Sequence, residues 1–386
     1  MAIDRRLFEQ GPIRPPSEAY SLLIRATRNC TWNKCSFCHI YKGKKFEKRS
    51  VQEVKSDIQA AKAVADEIKA LSWKSGYGGE ISRDLIETIF THSHLYNDHF
   101  RSIALWLYFG GKNVFLQDAN SITLNTSELV EILEFLKAEF PHIERITSYG
   151  RSRTIAKRKS VEELGELKKA GLTRLHVGLE SGWDFLLKYM NKGVTASEHI
   201  EAGRKVMASG IELSEYVVLG LGGKRWWREH ALETAKVLNQ ISPHFIRLRT
   251  LRVLPQMPLQ IKIDEGDFVL QTEEEMIVEE KLLVETLNGI ASTFMSDHAL
   301  NLLMEVEGNF PEEKAKMLNI IDAFLALPPD EKLNFRLGKR AGIYTTMEDM
   351  SDPMIHRRVE ELIERLESET PGGVETAIST IKDSFL

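Results

Sequence analysis

The sequence predicts an α/β fold, a partial (β/α)6 TIM-like barrel followed by a helical C-terminal region. Short apolar, β-branched runs alternate with amphipathic helical segments between residues 20 and 249. Such alternation is typical of parallel strands with helices outside them. Beyond residue 264 the alternation stops, and charged segments with helical periodicity follow without strand-like runs. A closed eight-unit barrel would need two further strand–helix units, which the sequence does not show.

Six strands are predicted in order, at residues 20–26, 113–117, 143–149, 174–179, 212–219 and 245–251. The first long helix is expected to begin at Ser50, because Glu53 three residues later completes a capping box. Ser160 and Glu163 form a second capping box after the third strand. Another helix is expected at about 127–139 between the second and third strands.

The chain therefore divides into three predicted parts. Residues 1–19 form an N-terminal extension, residues 20–262 form the barrel, and residues 263–386 form the helical C-terminal region. Residues 72–111 are a long insertion between the first helix and the second strand, expected to act as a lid or an interface element.

Composition excludes several classes of protein. The 386 residues include 51 Lys and Arg and 56 Asp and Glu, a formal net charge of −5. A nucleic-acid-binding scaffold would show a basic excess, so we expect no nucleic-acid partner. Since no apolar run of about 20 residues occurs, we expect no membrane association and a cytoplasmic location.

The three cysteines, Cys30, Cys35 and Cys38, all follow the first predicted strand. Closely spaced thiolates are soft ligands that suit Zn²⁺ or an iron–sulfur cluster, and barrel enzymes place active sites at the carboxyl ends of strands. Three cysteines would leave one iron of a [4Fe–4S] cluster open for a further ligand. The alternative is a structural zinc site completed by His39 or a distant histidine, although adjacent Cys38 and His39 serve one ion poorly.

The cysteine motif, with Phe37 directly before its last cysteine, resembles that of the radical S-adenosylmethionine (radical SAM) superfamily, and the resemblance covers about residues 18–262. It is closest to the subgroup with elongator-type, methylthiotransferase-type and coproporphyrinogen-oxidase-type enzymes. The commonest spacing there is C-x3-C-x2-C, whereas this chain has C-x4-C-x2-C, so the first arm of the motif is one residue longer.

The resemblance implies two cofactors, a [4Fe–4S] cluster and S-adenosyl-L-methionine (SAM). Cys30, Cys35 and Cys38 would each ligate one iron, and the amino and carboxylate groups of SAM would chelate the fourth. The family cleaves SAM reductively to a 5′-deoxyadenosyl radical, which abstracts hydrogen from a small-molecule substrate. Such chemistry is anaerobic and needs a low-potential electron donor, a flavodoxin or a ferredoxin.

The family pattern also implies an acidic turn after the second strand that holds the methionine ammonium group. The literal Gly78-Gly79-Glu80 does not follow a strand-like run. We therefore predict that Asp118 has this role, supported by Gln117 or Asn120. The alternative for Asp118 is a turn residue that caps the next element.

By the same resemblance, Phe37 and Tyr41 would lie near the adenine. Glu180, at the end of the fourth strand, would accept hydrogen bonds from the ribose hydroxyls, and the alternative is a solvated turn residue. Leu219 and Gly220 end the fifth strand, where a glycine permits close approach of the adenine to the backbone.

Arginines and one histidine complete the candidates. Arg151 and Arg153 follow the third strand and would bind a carboxylate of SAM or of the substrate, or form ordinary surface charge. Arg247 and Arg249 share one face of the sixth strand, so they would suit an anionic substrate if they point into the barrel. His298 precedes an apolar segment predicted as a helix. Arg151, Arg249 and His298 are the catalytic candidates.

These features predict a single-cluster radical SAM enzyme acting on a small molecule. No cysteine remains for a second cysteine-ligated cluster, and residues 1–17 are too few for an N-terminal cobalamin-binding domain. The alternatives are a radical methyltransferase and a non-catalytic, zinc-stabilised binding protein.

Overall fold

The computed structural model describes residues 7–92 and 95–385 of the chain. Its strands are β1 (Leu22–Arg25), β2 (Thr27–Arg28), β3 (Glu47–Lys48), β4 (Asn113–Gln117), β5 (Arg145–Gly150), β6 (Leu172–Glu180), β7 (Glu212–Leu219), β8 (Phe245–Thr250), β9 (Thr293–Met295) and β10 (Gly308–Asn309). Its helices are α1 (Val51–Lys74), α2 (Arg83–Thr91), α3 (Asp98–Tyr108), α4 (Thr126–Glu139), α5 (Ser152–Arg158), α6 (Val161–Ala170), α7 (Asp184–Tyr189), α8 (Ala196–Ala208), α9 (Gly223–Ile241), α10 (Pro258–Asp264), α11 (Glu273–Thr286), α12 (Lys314–Ala326), α13 (Pro329–Arg340), α14 (Pro353–Glu369) and α15 (Gly373–Asp383).

A mostly parallel sheet carries the fold. Eight strands lie in the order β1-β4-β5-β6-β7-β8-β9-β10, and β2 pairs with β3 separately. Parallel pairing joins β1 to β4, β4 to β5, β5 to β6 and β8 to β9, whereas β9 and β10 are antiparallel. The α/β prediction with a parallel sheet is therefore confirmed, and the arrangement is consistent with a partial TIM-like barrel.

The predicted strands and helix starts agree closely with the structure. Residues 113–117 and 212–219 form β4 and β7 as predicted. The capping boxes of Ser50 with Glu53 and of Ser160 with Glu163 begin α1 and α6. In the insertion at 72–111, α2 and α3 lie between α1 and β4.

Two predictions for the C-terminal region are wrong. This region contains the strands β9 and β10, which are too short to show a periodic sequence pattern. The segment after His298 forms turns, not a helix. Arg340 accounts for this difference, because its guanidinium binds the carbonyl oxygens of Ala299 and Leu300, which a helix would use for its own hydrogen bonds.

Contacts divide the chain into two compact units. The first extends to Gly178 and includes Met190–Ser214. In it, α1 packs against α3 and α4, α4 against α6, and α5 against α8. Fully buried side chains such as Ile24, Phe115 and Leu133 form its core.

The second unit comprises Leu179–Tyr189 and Glu215–Leu386. In it, α11 packs against α9 and α12, and α13 packs against α14 and α15. Arg340 of α13 binds the buried carboxylate of Glu273 on α11 at 2.6 Å. The division into extension, barrel and helical region stays a prediction. In the described ranges, no helix is both long and apolar enough to cross a membrane.

Candidate functional site

The cysteines lie on one loop, residues 29–46, which we call the cysteine loop. It leaves from β2 and returns at β3, and these strands close it by antiparallel pairing. The side chains of Cys30, Cys35 and Cys38 are half-buried and form no disulfide. Asn33 stabilises the loop from within, because its backbone N–H points at Cys30 Sγ at 3.4 Å and its side chain donates to the carbonyl of Tyr41. The thiols are thus presented on a folded loop.

Trp32 lies in the longer first arm of the motif and packs the loop onto residues 190–193. Its Nε1–H donates to the carbonyl of Asn191 at 2.6 Å. A Cβ at Gly193 would lie 2.4 Å from the indole, so this position admits only glycine. The Arg151 guanidinium lies 5.4 Å from the centre of the Trp32 ring. The bulky residue in the longer arm therefore serves as a packing contact.

Positive charge surrounds the thiols. Arg151 Nη2 donates to the carbonyl of Lys192 at 2.8 Å, and the Lys192 ammonium lies 5.8 Å from the centre of the Phe37 ring. Burial raises the pKa of the Cys35 thiol, while Lys192 and Arg151 act in the opposite direction. Burial likewise raises the pKa of the Cys38 thiol. The cations would stabilise thiolate ligands, because an opposite charge favours the ionised form.

Asp118 is fully buried at the base of the cysteine loop. Tyr41 donates its hydroxyl to Oδ1, while Arg25 Nη2 at 2.6 Å and the Asn29 N–H at 3.1 Å donate to Oδ2. A carboxylate offers about four acceptor positions. Three are already used, so Asp118 has at most one left for a bound ammonium group.

The neighbours of Asp118 face other parts of the first unit. The Gln117 side chain accepts from the Gly11 N–H at 2.8 Å and donates to the carbonyls of Gly11 and Ile13. Asn120 donates to Thr31 Oγ1 at 3.0 Å and accepts from the Arg151 N–H at 2.9 Å. Gln117 thus holds the segment before β1, and Asn120 links the cysteine loop to the start of α5.

Two other candidates of the first unit lie outside this network. Arg153 is mostly exposed, 3.4 Å from the carbonyl of Gly193 and 3.9 Å from Glu198. Glu80 lies exposed in the turn after α1, where its carbonyl accepts from Ser72 Oγ. The prediction that Glu80 does not follow a strand is confirmed.

In the second unit, Glu180 and Gly220 end β6 and β7. Glu180 has φ of 63°, and its carbonyl accepts from His230 Nε2 at 3.1 Å. Gly220 has φ of 82°, and its N–H points at both carboxylate oxygens of Glu279 at 3.3 Å. Leu219 is buried beside them. His230 and Glu279 were not predicted from the sequence, because a lone histidine or glutamate in a helix gives no signal of its own.

The β8 arginines meet at Asp297. Arg247 Nη1 binds one oxygen of this carboxylate, and Arg249 Nη1 binds the other at 2.9 Å. The Arg249 guanidinium also lies 4.5 Å from the centre of the Tyr216 ring. Within the described ranges, the buried atoms Arg249 Nη2 and His298 Nδ1 have no hydrogen-bond partner. Burial, reinforced by Arg249, lowers the pKa of His298 to about 4.

Three closely spaced thiols are donors of the type that iron–sulfur clusters use. Among the described residues, no three or more His, Cys, Asp or Glu side chains are grouped to hold a single metal ion. In a [4Fe–4S] cluster, each cysteine binds a different iron, so three thiolates from one loop suffice. The thiols of Cys30, Cys35 and Cys38 are of the chemical type that such a cluster would use.

Several solved structures are similar to the chain at low identity. Elp3 from the archaeon Methanocaldococcus infernus, lacking its N-terminus, is 15% identical, with 48% of each chain covered and a TM-score of 0.39. Coproporphyrinogen III oxidase from Escherichia coli, described as a radical SAM enzyme, is 14% identical, with 69% of this chain and 52% of that chain covered and a TM-score of 0.43. The cobalamin-dependent radical enzyme OxsB is 13% identical, with 95% and 58% covered and a TM-score of 0.46.

The chain thus spans about half the length of these structures. No curated protein matches it. The family model of the Radical SAM superfamily matches residues 24–235, more than half of the chain, including the cysteine loop and the ends of β4, β6 and β7. The chain belongs to the radical SAM superfamily, and it is an enzyme of that superfamily.

Proposed function

We propose that the protein is a single-cluster radical SAM enzyme that abstracts hydrogen from a small molecule carrying an anionic group. The observation that carries the proposal is the cysteine loop, with its three half-buried thiols beside Arg151 and Lys192. The sequence contains three cysteines, so one cysteine-ligated cluster uses them all.

The chain's own residues would hold and insulate the cluster. When bound, the cluster and SAM supply a 5′-deoxyadenosyl radical by one-electron cleavage of the sulfonium C–S bond, and this radical takes a hydrogen atom from the substrate. Cys30, Cys35 and Cys38 provide the thiolates, while Arg151 and Lys192 balance their negative charge. Trp32 keeps the loop packed, which limits the access of water and oxygen.

SAM would be bound by residues from several strand ends. We assign the ribose hydroxyls to Glu180 and the adenine to the backbone of Leu219 and Gly220. Asp118 would accept from the ammonium group at its last acceptor position, and Gln117 would support it indirectly, because its side chain holds the segment before β1. Arg153, which is mostly exposed, would be available to the SAM carboxylate.

The substrate's anionic group would bind at Arg249 and His298. Support comes from two buried nitrogens without a hydrogen-bond partner in the described ranges, Arg249 Nη2 and His298 Nδ1, which belong to side chains close enough for Arg249 to lower the pKa of His298. A guanidinium favours a carboxylate or phosphate, whose oxygens match its N–H groups. A low-potential flavodoxin or ferredoxin in the cytoplasm would deliver the electron.

Deuterium transfer tests this function. The reconstituted enzyme is incubated anaerobically with dithionite, SAM and deuterated candidate carboxylates or phosphates, and 5′-deoxyadenosine is analysed by mass spectrometry. We expect deuterium in the 5′-deoxyadenosine with the true substrate. A methylated substrate without deuterium in the 5′-deoxyadenosine would show methyl transfer and contradict the proposal.

Arg249→Gln locates the substrate group. It should lose deuterium transfer by about tenfold or more and retain substrate-independent SAM cleavage, because one charged hydrogen bond is lost. Arg252→Gln is the matched control, since Arg252 lies nearby in the sequence and pairs with Asp383. Equal losses in the two variants would contradict the assignment.

A further inference from the structure

A buried histidine–glutamate pair joins two helices behind the ends of β6 and β7. His230 of α9 and Glu279 of α11 are each 1% exposed, with His230 Nδ1 2.8 Å from Glu279 Oε1. The other ring nitrogen, Nε2, donates to the carbonyl of Glu180. The Glu279 carboxylate faces the Gly220 N–H as well. One connected network therefore holds backbone atoms at the ends of two strands.

Helix α9 holds the turn after β6 at a second point. Thr234 lies one helical turn after His230, and its hydroxyl accepts from the Gly182 N–H at 2.9 Å. A Cβ at Gly182 would lie 2.4 Å from the Glu233 carbonyl oxygen, so the turn touches the helix backbone. The turn from Glu180 to Gly182 is therefore fixed by α9.

Glu180 needs such support. Its φ of 63° lies in the left-handed region, which residues with a side chain adopt at a cost. A strained residue keeps its conformation only when surrounding contacts impose it. His230, through the Glu180 carbonyl, supplies such a contact, and it thereby sets the direction in which the Glu180 side chain leaves the backbone.

Packing alone does not explain the pair. Burying two ionisable groups costs desolvation, and apolar side chains of similar volume usually hold two helices together at least as well. The groups that apolar residues could not replace are the acceptor for the Gly220 N–H and the donor to the Glu180 carbonyl. What the pair provides, and apolar residues could not, is hydrogen bonding to the backbone at these two strand ends.

We propose that His230 and Glu279 are positioning residues for SAM. They fix the backbone of Glu180 and Gly220, so that the ribose and adenine contacts are formed before SAM arrives. The inference rests on the proposed function, because it requires SAM to contact Glu180 and Gly220. Neither His230 nor Glu279 touches SAM in this proposal, and both act through the backbone.

The experiment measures SAM binding and backbone exchange in parallel. The experiment uses four proteins, reconstituted anaerobically: wild type, His230→Ala, His230→Gln and Glu279→Ala. For each protein, equilibrium dialysis gives the SAM Kd, and the iron content is measured on the same sample. We expect His230→Ala and Glu279→Ala to raise the SAM Kd about tenfold at unchanged iron content. A tenfold loss of affinity is the smaller end of the range found when a residue that supports a ligand-binding group is removed. His230→Gln, whose amide can still donate to the Glu180 carbonyl, should raise it less.

Hydrogen exchange and a matched control separate positioning from general stability. In the iron-free protein, Glu279→Ala should speed exchange of the Gly220 amide. Glu273→Gln alters another buried carboxylate of α11, bound to Arg340, and should lower the unfolding midpoint without changing Kd. Equal effects of Glu273→Gln and Glu279→Ala on Kd would overturn the proposal.

Two further outcomes are decisive. If His230→Ala fails to fold, Thr234→Val replaces it, and we expect a smaller rise in Kd. An unchanged Kd in the folded His230 or Thr234 variant, with wild-type SAM binding intact, would overturn this inference alone. A wild-type enzyme that carries the cluster and binds no SAM would overturn the proposed function, and the inference with it.

Discussion

The charged side chains at the base of the cysteine loop and at the end of β8 differ in how completely they are hydrogen-bonded. The Asp118 carboxylate accepts from Tyr41, Arg25 and the Asn29 N–H. At the end of β8, Arg249 shares Asp297 with Arg247 and keeps Nη2 without a partner in the described ranges. A buried carboxylate that accepts three hydrogen bonds stabilises the fold, whereas a buried guanidinium nitrogen with no protein partner contributes less and is open to a further hydrogen bond.

From this difference we expect the two regions to have different tasks. Asp118 links β1, β4 and the cysteine loop, so we expect it first of all to hold this loop in place. We expect Arg249 and His298 to contribute less to the fold, in line with the substrate contact proposed for them. The variants below test this assignment, beginning with the largest expected effect.

Cys35→Ala should abolish cluster binding and SAM cleavage, because the chain has no spare cysteine to replace the lost ligand. Iron and sulfide content after anaerobic reconstitution, with absorbance near 400 nm, measures the loss. Ser36→Ala, in the same loop, is the control and should retain iron. A Cys35→Ala protein with wild-type iron content would show that the loop does not hold the cluster.

Asp118→Asn should destabilise the iron-free protein by about 3 kcal/mol, because the buried side chain loses the charge that strengthens its hydrogen bonds to Arg25, Tyr41 and the Asn29 N–H, while Arg25 keeps its second partner, Glu9. Urea unfolding measures the change. Tyr41→Phe, which removes one hydrogen bond to the same carboxylate, should cost about 1.5–3 kcal/mol. An Asp118→Asn protein as stable as wild type would remove the structural role and leave only a role in SAM binding.

Glu273 tests whether the second unit also contains a fully partnered carboxylate. Burial raises the pKa of Glu273, but Arg340, Lys382 and Arg336 outweigh burial and lower it to about 2. Because this pKa lies below the unfolded value of 4.5, the stabilisation is present above pH 4.5 and is lost as pH falls towards 2. The loss should be about 3 kcal/mol.

Urea unfolding between pH 6 and pH 2.5 measures this dependence. Glu273→Gln should be less stable at pH 6 and show a flatter pH profile, because it has no carboxylate to protonate. Identical profiles for wild type and variant would mean that other carboxylates cause the acid sensitivity.

Arg249→Gln should have the smallest effect on stability, about 1 kcal/mol, because Asp297 keeps its bond to Arg247. Thermal unfolding of the iron-free protein measures it. A loss as large as that of Asp118→Asn would mean that Arg249 is a structural anchor, and the distinction between the two regions would fail.

Local features were predictable from the sequence, and contacts between distant segments were not. The cysteine spacing and the strands β4 and β7 are encoded in short stretches of sequence. Two partners of Asp118, Tyr41 and Arg25, lie 77 and 93 residues away in the sequence. No short-range sequence pattern could have predicted these contacts. The strand β9 is only three residues long, and pairing with β8, not its own pattern, makes it a strand.

The candidate site shows the same limit. The three thiols were found from their spacing, whereas Lys192 and the pair of His230 and Glu279 were missed. Their roles arise from the fold, which brings Lys192 beside the cysteine loop and the His230–Glu279 pair behind two strand ends. A lone histidine or lysine within a helix or a turn carries no such information.

The central claim is that the cysteine loop holds a single cluster that cleaves SAM. In the most direct test, the anaerobically reconstituted protein is incubated with dithionite and SAM. The 5′-deoxyadenosine that forms is then quantified by liquid chromatography. We predict a brown protein with about four irons that forms 5′-deoxyadenosine, while Cys35→Ala forms none. A colourless protein that holds one zinc ion and forms no 5′-deoxyadenosine would contradict the claim.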